Sequence, residues 1–433
     1  MLELIKELIL DFQEEAISGG VPRHLDYELV SQKAFICIGV RRCGKSTLLM
    51  QIIQNLLKRR NISAENVVYI NFFDDRLDAL RQGQIGIISE AYYLLYPAKK
   101  NDETVYFFFD ELQEIPDWEK FIERLLRTEN CEVFITGSSA KLLSREIATQ
   151  MGGRSLAWEL FPFSFREFLD FHGIVYDRLS SQKRILIQSH FEQYLQKGGF
   201  PEVFSASEKL QLMIHQEYFK AILHRDIIER FDARHPQAVV RLGHRIVNHI
   251  SSLHSLNRLT EYLKSLGYKT SKQFVGECLE WFHDAYLFLP VSIYSPSLSI
   301  QNANPRKIYA IDHALVRSVS SNLLVNSGIL LENLIYLHLR RQNRQIYYYR
   351  TRSRKEVDFI WKSQSGGLNL LQVSWDMSDE NTRKREISAL FEAMEETGMD
   401  LSMIVTHAED GMLEKEGKTI QIIPAWKFCL SEF

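Results

Sequence analysis

Nine consecutive residues, Gly39-Val-Arg-Arg-Cys-Gly-Lys45-Ser46-Thr47, have the types and spacing of a phosphate cradle. Two glycines let backbone N–H groups wrap an oxyanion, and a helix opening at the lysine turns the positive end of its dipole toward the same charge. In that pattern Lys45 reaches the β- and γ-phosphates of a nucleoside triphosphate, Ser46 ligates Mg²⁺ and Thr47 touches the α-phosphate. Arg41, Arg42, Cys43 and Gly44 complete the loop from Gly39 and belong to the same set of nucleotide-contacting positions.

Further along, the apolar run Val105–Phe109 ends in Asp110-Glu111. An acid at the carboxyl end of a buried strand holds the Mg²⁺ shell, so Asp110 and Ser46 are the expected metal ligands. Glu111 is then placed to orient or deprotonate an attacking water. The next apolar run closes on Thr136-Gly-Ser-Ser-Ala140, where Ser138 is the expected γ-phosphate contact and an ordinary turn serine is the alternative. Arg154 and Arg225 are both candidates for transition-state charge stabilisation. The sequence leaves open which of them serves, and whether from the same chain or a second one.

These groups need a scaffold that brings distant segments to one edge. Residues 30–140 supply one, alternating strand and helix signals: AFICIG (34–39), NVVYINFF (66–73), VYFFFD (105–110) and VFITG (133–137), with helices from Ser46 to Arg60 and from about Asp117 to Arg127. Apolar runs this continuous predict strands covered on both faces, hence a parallel sheet flanked by helices. From Phe161 to about Phe231 the pattern is helical. Residues 240–312 give short helices followed by two strand-like runs, and 328–433 return to mixed α/β. No internal repeat or low-complexity tract occurs.

With 433 residues the chain is long enough for two to four domains. Its formal net charge of -3 gives no whole-protein attraction to nucleic acid or acidic membranes, so such contact requires a local patch. The five cysteines, Cys37, Cys43, Cys131, Cys278 and Cys429, form no C-x-x-C pair, which argues against structural zinc and a disulfide framework and suits a reducing cytoplasm. The first residues, MLELIKELILDFQEE, read as a short amphipathic helix and not as a signal peptide, and no apolar run reaches membrane-spanning length. A cytoplasmic location and no membrane partner are therefore expected.

Taken in order, GVRRCGKSTLL, FFFDELQEIPDWEKFIERLL, VFITGSSAKLLSREIATQMGGRSLAWELFPFSFREFL, KGGFPEVF, HRDIIERF, LLENLIYLHLRR and YYYRTRSRKEVDFIW with LLQVSWDM resemble a family of prokaryotic AAA+-type P-loop ATPases with a C-terminal domain of uncharacterised function. The resemblance runs from about residue 20 to about 410 and is most specific in its long middle segment. It implies an α/β fold: a parallel-sheet ATPase core with a helical lid, a winged helix-turn-helix and a restriction-endonuclease-like, PD-(D/E)xK-like module. The corresponding divisions are 1–28 for the N-terminal helix and lead-in, 29–160 core, 161–236 lid, 237–320 winged helix and 321–433 nuclease-like domain. ATP and Mg²⁺ are the implied cofactors, and hydrolysis of ATP the implied activity.

The winged helix would consist of Ser255–Leu266, a turn at Gly267–Thr270, and Ser271–Ala285, with Leu287–Ile293 and Lys307–Ile311 as wing strands. Its second helix carries Lys272 and Gln273 first but Glu277, Glu280 and Asp284 afterwards. Acids facing phosphate repel it, which favours packing or protein contact over base readout. In the nuclease-like module Glu332 and Asp358 match the acid positions, whereas Gln372 and Ser374 stand where an acid and a lysine belong. The hold on a hard cation weakens and the ammonium is lost, so a degenerate nuclease-like site is expected, with Lys355 as a conceivable displaced lysine. Residues 331–362 hold eight Lys/Arg against three Asp/Glu, interleaved with Tyr347, Tyr348 and Tyr349. The stretch 340–355 is thus the candidate contact for DNA or RNA, the alternative being tyrosines that pack inward. A homo-oligomer or a partner protein is the other expected association.

Overall fold

In the computed structural model, described for residues 1–100, 102–143, 145–176, 180–321, 326–342, 345–363 and 366–431, the chain divides into two compact units, Met1–Phe161 and Pro162–Phe433.

The first unit is built on a five-stranded parallel sheet of β1 (Ala34–Ile38), β2 (Val67–Asn71), β3 (Val105–Asp110), β4 (Cys131–Gly137) and β5 (Ser155–Glu159). The strand order is β2-β3-β4-β1-β5, so β4 lies between the strands that lead into the phosphate loop and the acid pair. β1 and β3 are buried along their whole length, as their unbroken apolar runs require. Phe108 and Phe134 stack at 4.4 Å across the β3–β4 pair. The helix Lys45–Arg59 turns Leu48, Leu49, Ile52, Ile53 and Leu56 inward, a stripe at helical spacing. Trp118, Phe121, Ile122, Leu125 and Leu126 do the same on the helix Trp118–Thr128.

β5 escapes a reading by pattern. SLAWE is half-buried throughout and neither alternates nor runs apolar, so only its pairing with β1 identifies it. The helix Leu2–Glu14 packs on the sheet through Ile5 and Ile9, with Phe12 stacked on Tyr69 at 4.7 Å.

The second unit begins with helices, among them Phe165–Phe171, Ser181–Lys197 and Glu208–Ala221, the last continuing directly into an eight-residue π-helix, Ile222–Glu229. A small antiparallel sheet, β6 (Leu253–His254), β7 (Phe288–Val291) and β8 (Arg306–Ala310), accompanies the helices Leu256–Ser265 and Lys272–Asp284. After the helix Ser327–Arg341 comes a six-stranded mixed sheet: β9 (Ile346–Arg350), β10 (Glu356–Lys362), β11 (Leu368–Ser374), β12 (Leu401–Thr406), β13 (Gly411–Lys415) and β14 (Lys418–Pro424). Its order is β13-β14-β12-β11-β10-β9, with the helix Glu380–Thr397 packed on β10 and β11. β13, exposed apart from Leu413, is the strand here that sequence pattern does not reveal.

Candidate nucleotide site

Three carboxyl ends of parallel strands, those of β1, β3 and β4, converge in the first unit. β1 runs out at Ile38 into Gly39–Gly44, and the helix starts at Lys45 with Gly44 as its N-cap at φ 98°. That positive φ is one only glycine holds without strain. Gly39 is a second enforced glycine, because a Cβ there would collide with the carbonyl oxygen of Leu160.

Lys45 is buried, and its ammonium is held by three oxygens. Nζ donates to the carbonyls of Gly39 (3.2 Å) and Val40 (3.3 Å) and lies 3.2 Å from Glu111 Oε1. Burial disfavours the ammonium, but Glu111 and the nearby cysteine sulfurs together more than offset it, and the lysine's pKa stands above its ordinary value. Burial likewise works against the Glu111 carboxylate, yet Lys45 and Gln113 hold its pKa below the usual range. Both groups are therefore charged at neutral pH.

Asp110 is fully buried at the end of β3. Tyr69 Oη donates to its Oδ2 (2.8 Å), and the Thr136 hydroxyl donates to its Oδ1. The same Thr136 oxygen accepts from the Glu111 backbone N–H at 2.9 Å, so one side chain on β4 fixes both acids. Glu111 itself sits at φ 58°, a left-handed conformation that costs about 1–2 kcal/mol for a residue with a Cβ. Gln113 Nε2 donates to Glu111 Oε2 (2.6 Å) and to Ser138 Oγ (3.3 Å), which links Ser138 to the acid pair. Tyr69, Gln113 and Thr136 were not singled out from sequence. Thr136 offered a signal, lying two residues before Ser138 in the same turn.

Ser46 is exposed and Thr47 half-buried at the first turn of the helix. One carboxylate and one hydroxyl are hard-oxygen donors of the kind Mg²⁺ takes, so the chemistry of the residues present fits that ion. Arg41 lies over the Phe73 ring at 5.0 Å, and Arg42 is exposed at φ 65°. Cys43 is buried with its thiol pKa pushed up by that burial, which makes it inert.

Arg154 is not brought to this loop. Arg154 precedes β5, its carbonyl accepting from Ala34 N–H at the start of β1, and its Nε lies 4.0 Å from Glu123 Oε1. It therefore stands at the amino end of the sheet, about 15 Å of strand away from the loop that follows β1. Arg225 belongs to the second unit, exposed on the π-helix Ile222–Glu229. Short π segments recur at functional sites.

In the second unit Glu332, Asp358 and Gln372 do meet, but around a residue that sequence had placed on a wing strand. Lys307 on β8 is buried, with Nζ 2.8 Å from Asp358 Oδ1, 2.8 Å from Glu356 Oε1 and 3.2 Å from Glu332 Oε1. Tyr309 Oη donates to Glu332 Oε1 at 2.7 Å. Burial and the Asp358 charge, partly offset by Lys307, push Glu332 up to about 8. Gln372 Oε1 accepts from Asp358 N–H, and its amide donates to Glu386. Ser374 Oγ donates to the Asp376 carbonyl at 3.1 Å. Lys355, the expected displaced lysine, instead pairs with Glu392 at 3.0 Å. A polar cavity of about 760 Å³ opens beside this cluster.

Of the two readings of the tyrosines, the structure favours inward packing. Tyr348 is fully buried with its hydroxyl on the Pro305 carbonyl, Tyr349 donates to Glu396, and Tyr347 lies edge-on to Tyr294. Within 340–355, Arg341 donates to the carbonyls of Pro162 and Phe163, and positions 343 and 344 lie outside the described residues. β-pleat alternation and the Pro305 contact turn Tyr348 inward, where no base can stack.

Among the described residues no group of three or more His, Cys, Asp or Glu could hold a metal ion, and no helix is long and apolar enough to cross a membrane.

A model of the AAA domain matches residues 31–169. Two domains of unknown function, DUF8612 and DUF4143, match 188–324 and 327–428. An uncharacterised protein of Methanocaldococcus jannaschii is 32% identical over 441 residues, covering 99% of this chain and 95% of its own. An uncharacterised protein of Haemophilus influenzae is 29% identical over 350 residues, covering 80% of this chain and 84% of its own. Among solved structures, the Walker-type ATPase PABY2304 of Pyrococcus abyssi covers 73% of this chain and 95% of its own at 13% identity and TM-score 0.39. The Aeropyrum pernix ORC1 protein in complex with DNA covers 74% and 91% at 12% identity and TM-score 0.31. Structural likenesses this small carry no weight for function.

Proposed function

The chain belongs to the same family as the uncharacterised Methanocaldococcus jannaschii protein, and from its AAA domain we propose that it is an ATP-binding, ATP-hydrolysing molecular switch. The observation that carries this reading is the buried Lys45–Glu111 pair at the carboxyl edge of the parallel sheet. In the chain described here the ammonium rests on a carboxylate and two carbonyls. A triphosphate offers it stronger partners, and its arrival frees Glu111 to orient a water. Mg²⁺ on Asp110 and Ser46 would neutralise charge on the phosphates. Ser138, joined to Glu111 through Gln113, is suited to register whether a γ-phosphate is present.

The finer parts of the reading follow from this. The segment 161–236 acts as the helical lid, 237–320 as a winged helix used for packing, and 321–433 as a nuclease-like fold kept for binding, all in the cytoplasm. Nucleotide state repositions these modules. Arg154 and Arg225 remain the two candidates for transition-state charge, and Arg154, at the far end of its own sheet, would act only on a second copy. The test is nucleotide binding and turnover of Lys45→Ala and Glu111→Gln. Normal turnover in both ends the proposal.

A second reading is nucleic-acid binding by the C-terminal module. Its support is the cavity beside Lys307, whose lining sets Arg354, Lys355 and Arg385 among six carboxylates, so phosphate contact would fall to those three side chains. Cleavage is not part of it, because Lys307 already neutralises the acids that would hold a cation. Retention of DNA or RNA in a gel-shift series should fall steeply as salt rises; a flat salt response excludes this reading.

A further inference from the structure

The segment ahead of β1 is tied to the phosphate loop by side chains. Gln51 Nε2 donates to the carbonyls of Gly19 and Val21 (2.6 Å each), Gln51 Oε1 accepts from Arg23 N–H (3.1 Å), and Gln54 Nε2 donates to the Ile17 carbonyl. Both glutamines stand on the helix that opens at Lys45. The backbone of Arg23 is therefore fixed to the element that carries the cradle.

Its guanidinium spans two places. Nη1 donates to the Cys43 carbonyl, inside the loop, and Nη2 donates to the Phe161 carbonyl at 2.7 Å. A trans peptide sets C=O and N–H antiparallel, so drawing the Cys43 carbonyl toward Arg23 turns the Gly44 N–H the opposite way. Gly44 N–H is one of the amides a phosphate in this loop would need. A Cβ on Gly44 would come within 2.8 Å of Arg23 Nη1, so the glycine also makes room for this contact. Phe161 is the last residue of the first unit, and Leu160 just before it lies against Gly39 while donating to the Ile38 carbonyl. One end of the loop thus meets Leu160 directly, and the other reaches Phe161 through Arg23.

We propose that Arg23 is a positioning residue that couples the phosphate loop to the chain exit at Leu160–Phe161, so that a bound triphosphate is registered where the chain leaves the ATPase core. When phosphate draws the Gly44 N–H, the Cys43–Gly44 peptide settles in the orientation Arg23 already favours. The fork then grips both carbonyls more firmly, and opening of 160–161 becomes rarer. Arginine is suited to this because one planar group reaches two acceptors in fixed directions, which a lysine does not. The proposal rests on the ATP-binding reading, so binding and coupling are measured separately.

The experiment uses the full chain. ATPγS binding is followed by calorimetry, and amide exchange of the peptide spanning residues 156–166 is recorded with and without ATPγS in the wild type, Arg23→Ala and Arg23→Lys. In the wild type ATPγS should slow exchange at Leu160 and Phe161 by roughly fivefold or more, since protection follows the local opening equilibrium. Arg23→Ala should bind ATPγS with affinity within about tenfold of the wild type, ~1.4 kcal/mol, and show no nucleotide-dependent change at 160–161. Arg23→Lys, the backup should the alanine variant misfold, should bind similarly and recover less than half of the protection. The coupling is overturned if either variant keeps the full wild-type response, or if the wild type binds ATPγS without any change at 160–161. A wild type that does not bind ATPγS at all overturns the ATP reading itself, and the coupling with it.

Discussion

Lys45 Nζ and Glu111 Oε1 stand 3.2 Å apart, both buried, on segments that follow two strands, β1 and β3, separated in the sheet by β4. The cation proposed for phosphate and the carboxylate proposed for water thus neutralise one another in the ligand-free chain. Breaking such a buried pair from one side leaves the other charge uncompensated, at a cost of about 3–5 kcal/mol. The two partners nevertheless have different fates on mutation.

Lys45→Ala should lower ATP affinity by about 100-fold or more, the loss of charge-assisted bonds worth ~3 kcal/mol. Glu111→Gln should bind ATP as tightly as the wild type while turnover falls by roughly 10²–10⁴. Calorimetry and phosphate release separate the two effects.

Thr136→Val keeps the side-chain shape but removes the hydroxyl that Asp110 and the Glu111 N–H share. It should destabilise the chain by about 1–3 kcal/mol, the cost of buried polar groups left unpaired. Turnover should fall with it. Thr136→Ser should recover both. A valine variant as stable as wild type in denaturant titration would show that the bridge does nothing.

Lys307→Met should be strongly destabilising, by about 3–5 kcal/mol, because Glu356 and Asp358 lose the cation they share. Adding Asp358→Asn to that variant should restore part of the loss. The sign of this coupling, read in a double-mutant cycle of denaturation midpoints, is the decisive quantity.

Glu332 titrates in the folded chain near 8, against an ordinary value of 4.5, because burial and Asp358 oppose its charge. Between those values the folded chain keeps a proton that the unfolded chain has released, so its stability falls as pH rises through that window. Below about 4.5 both states are protonated and the effect vanishes. Glu332→Gln cannot titrate, and its melting temperature should therefore gain on the wild type steadily from pH 5 to pH 8. A difference that stays constant with pH contradicts the assignment.

Much of the nucleotide site is local, which is why it could be read from residues alone. The run from Gly39 to Thr47 needs only a strand before it and a helix after it, and both follow from apolar periodicity. Asp110 and Glu111 announce themselves by ending an unbroken apolar strand. The exposed or half-buried strands β5 and β13 have no such signature, because edge positions relax the demand for a pattern.

Residue types and spacing thus determined the phosphate loop, the acid pair and the alternating α/β order of the first unit, since each depends on neighbours within a few residues. Only the tertiary structure decided that Thr136 and Tyr69 would hold Asp110, and that Arg23 would join Cys43 to Phe161. It also set Lys307 from β8 among the acids where Ser374 leaves no ammonium, and turned Tyr348 inward. Those partners are 20 to 138 residues apart in the chain, as Arg23 alone shows. No local spacing rule spans such distances; strand order and side-chain direction across packed elements do.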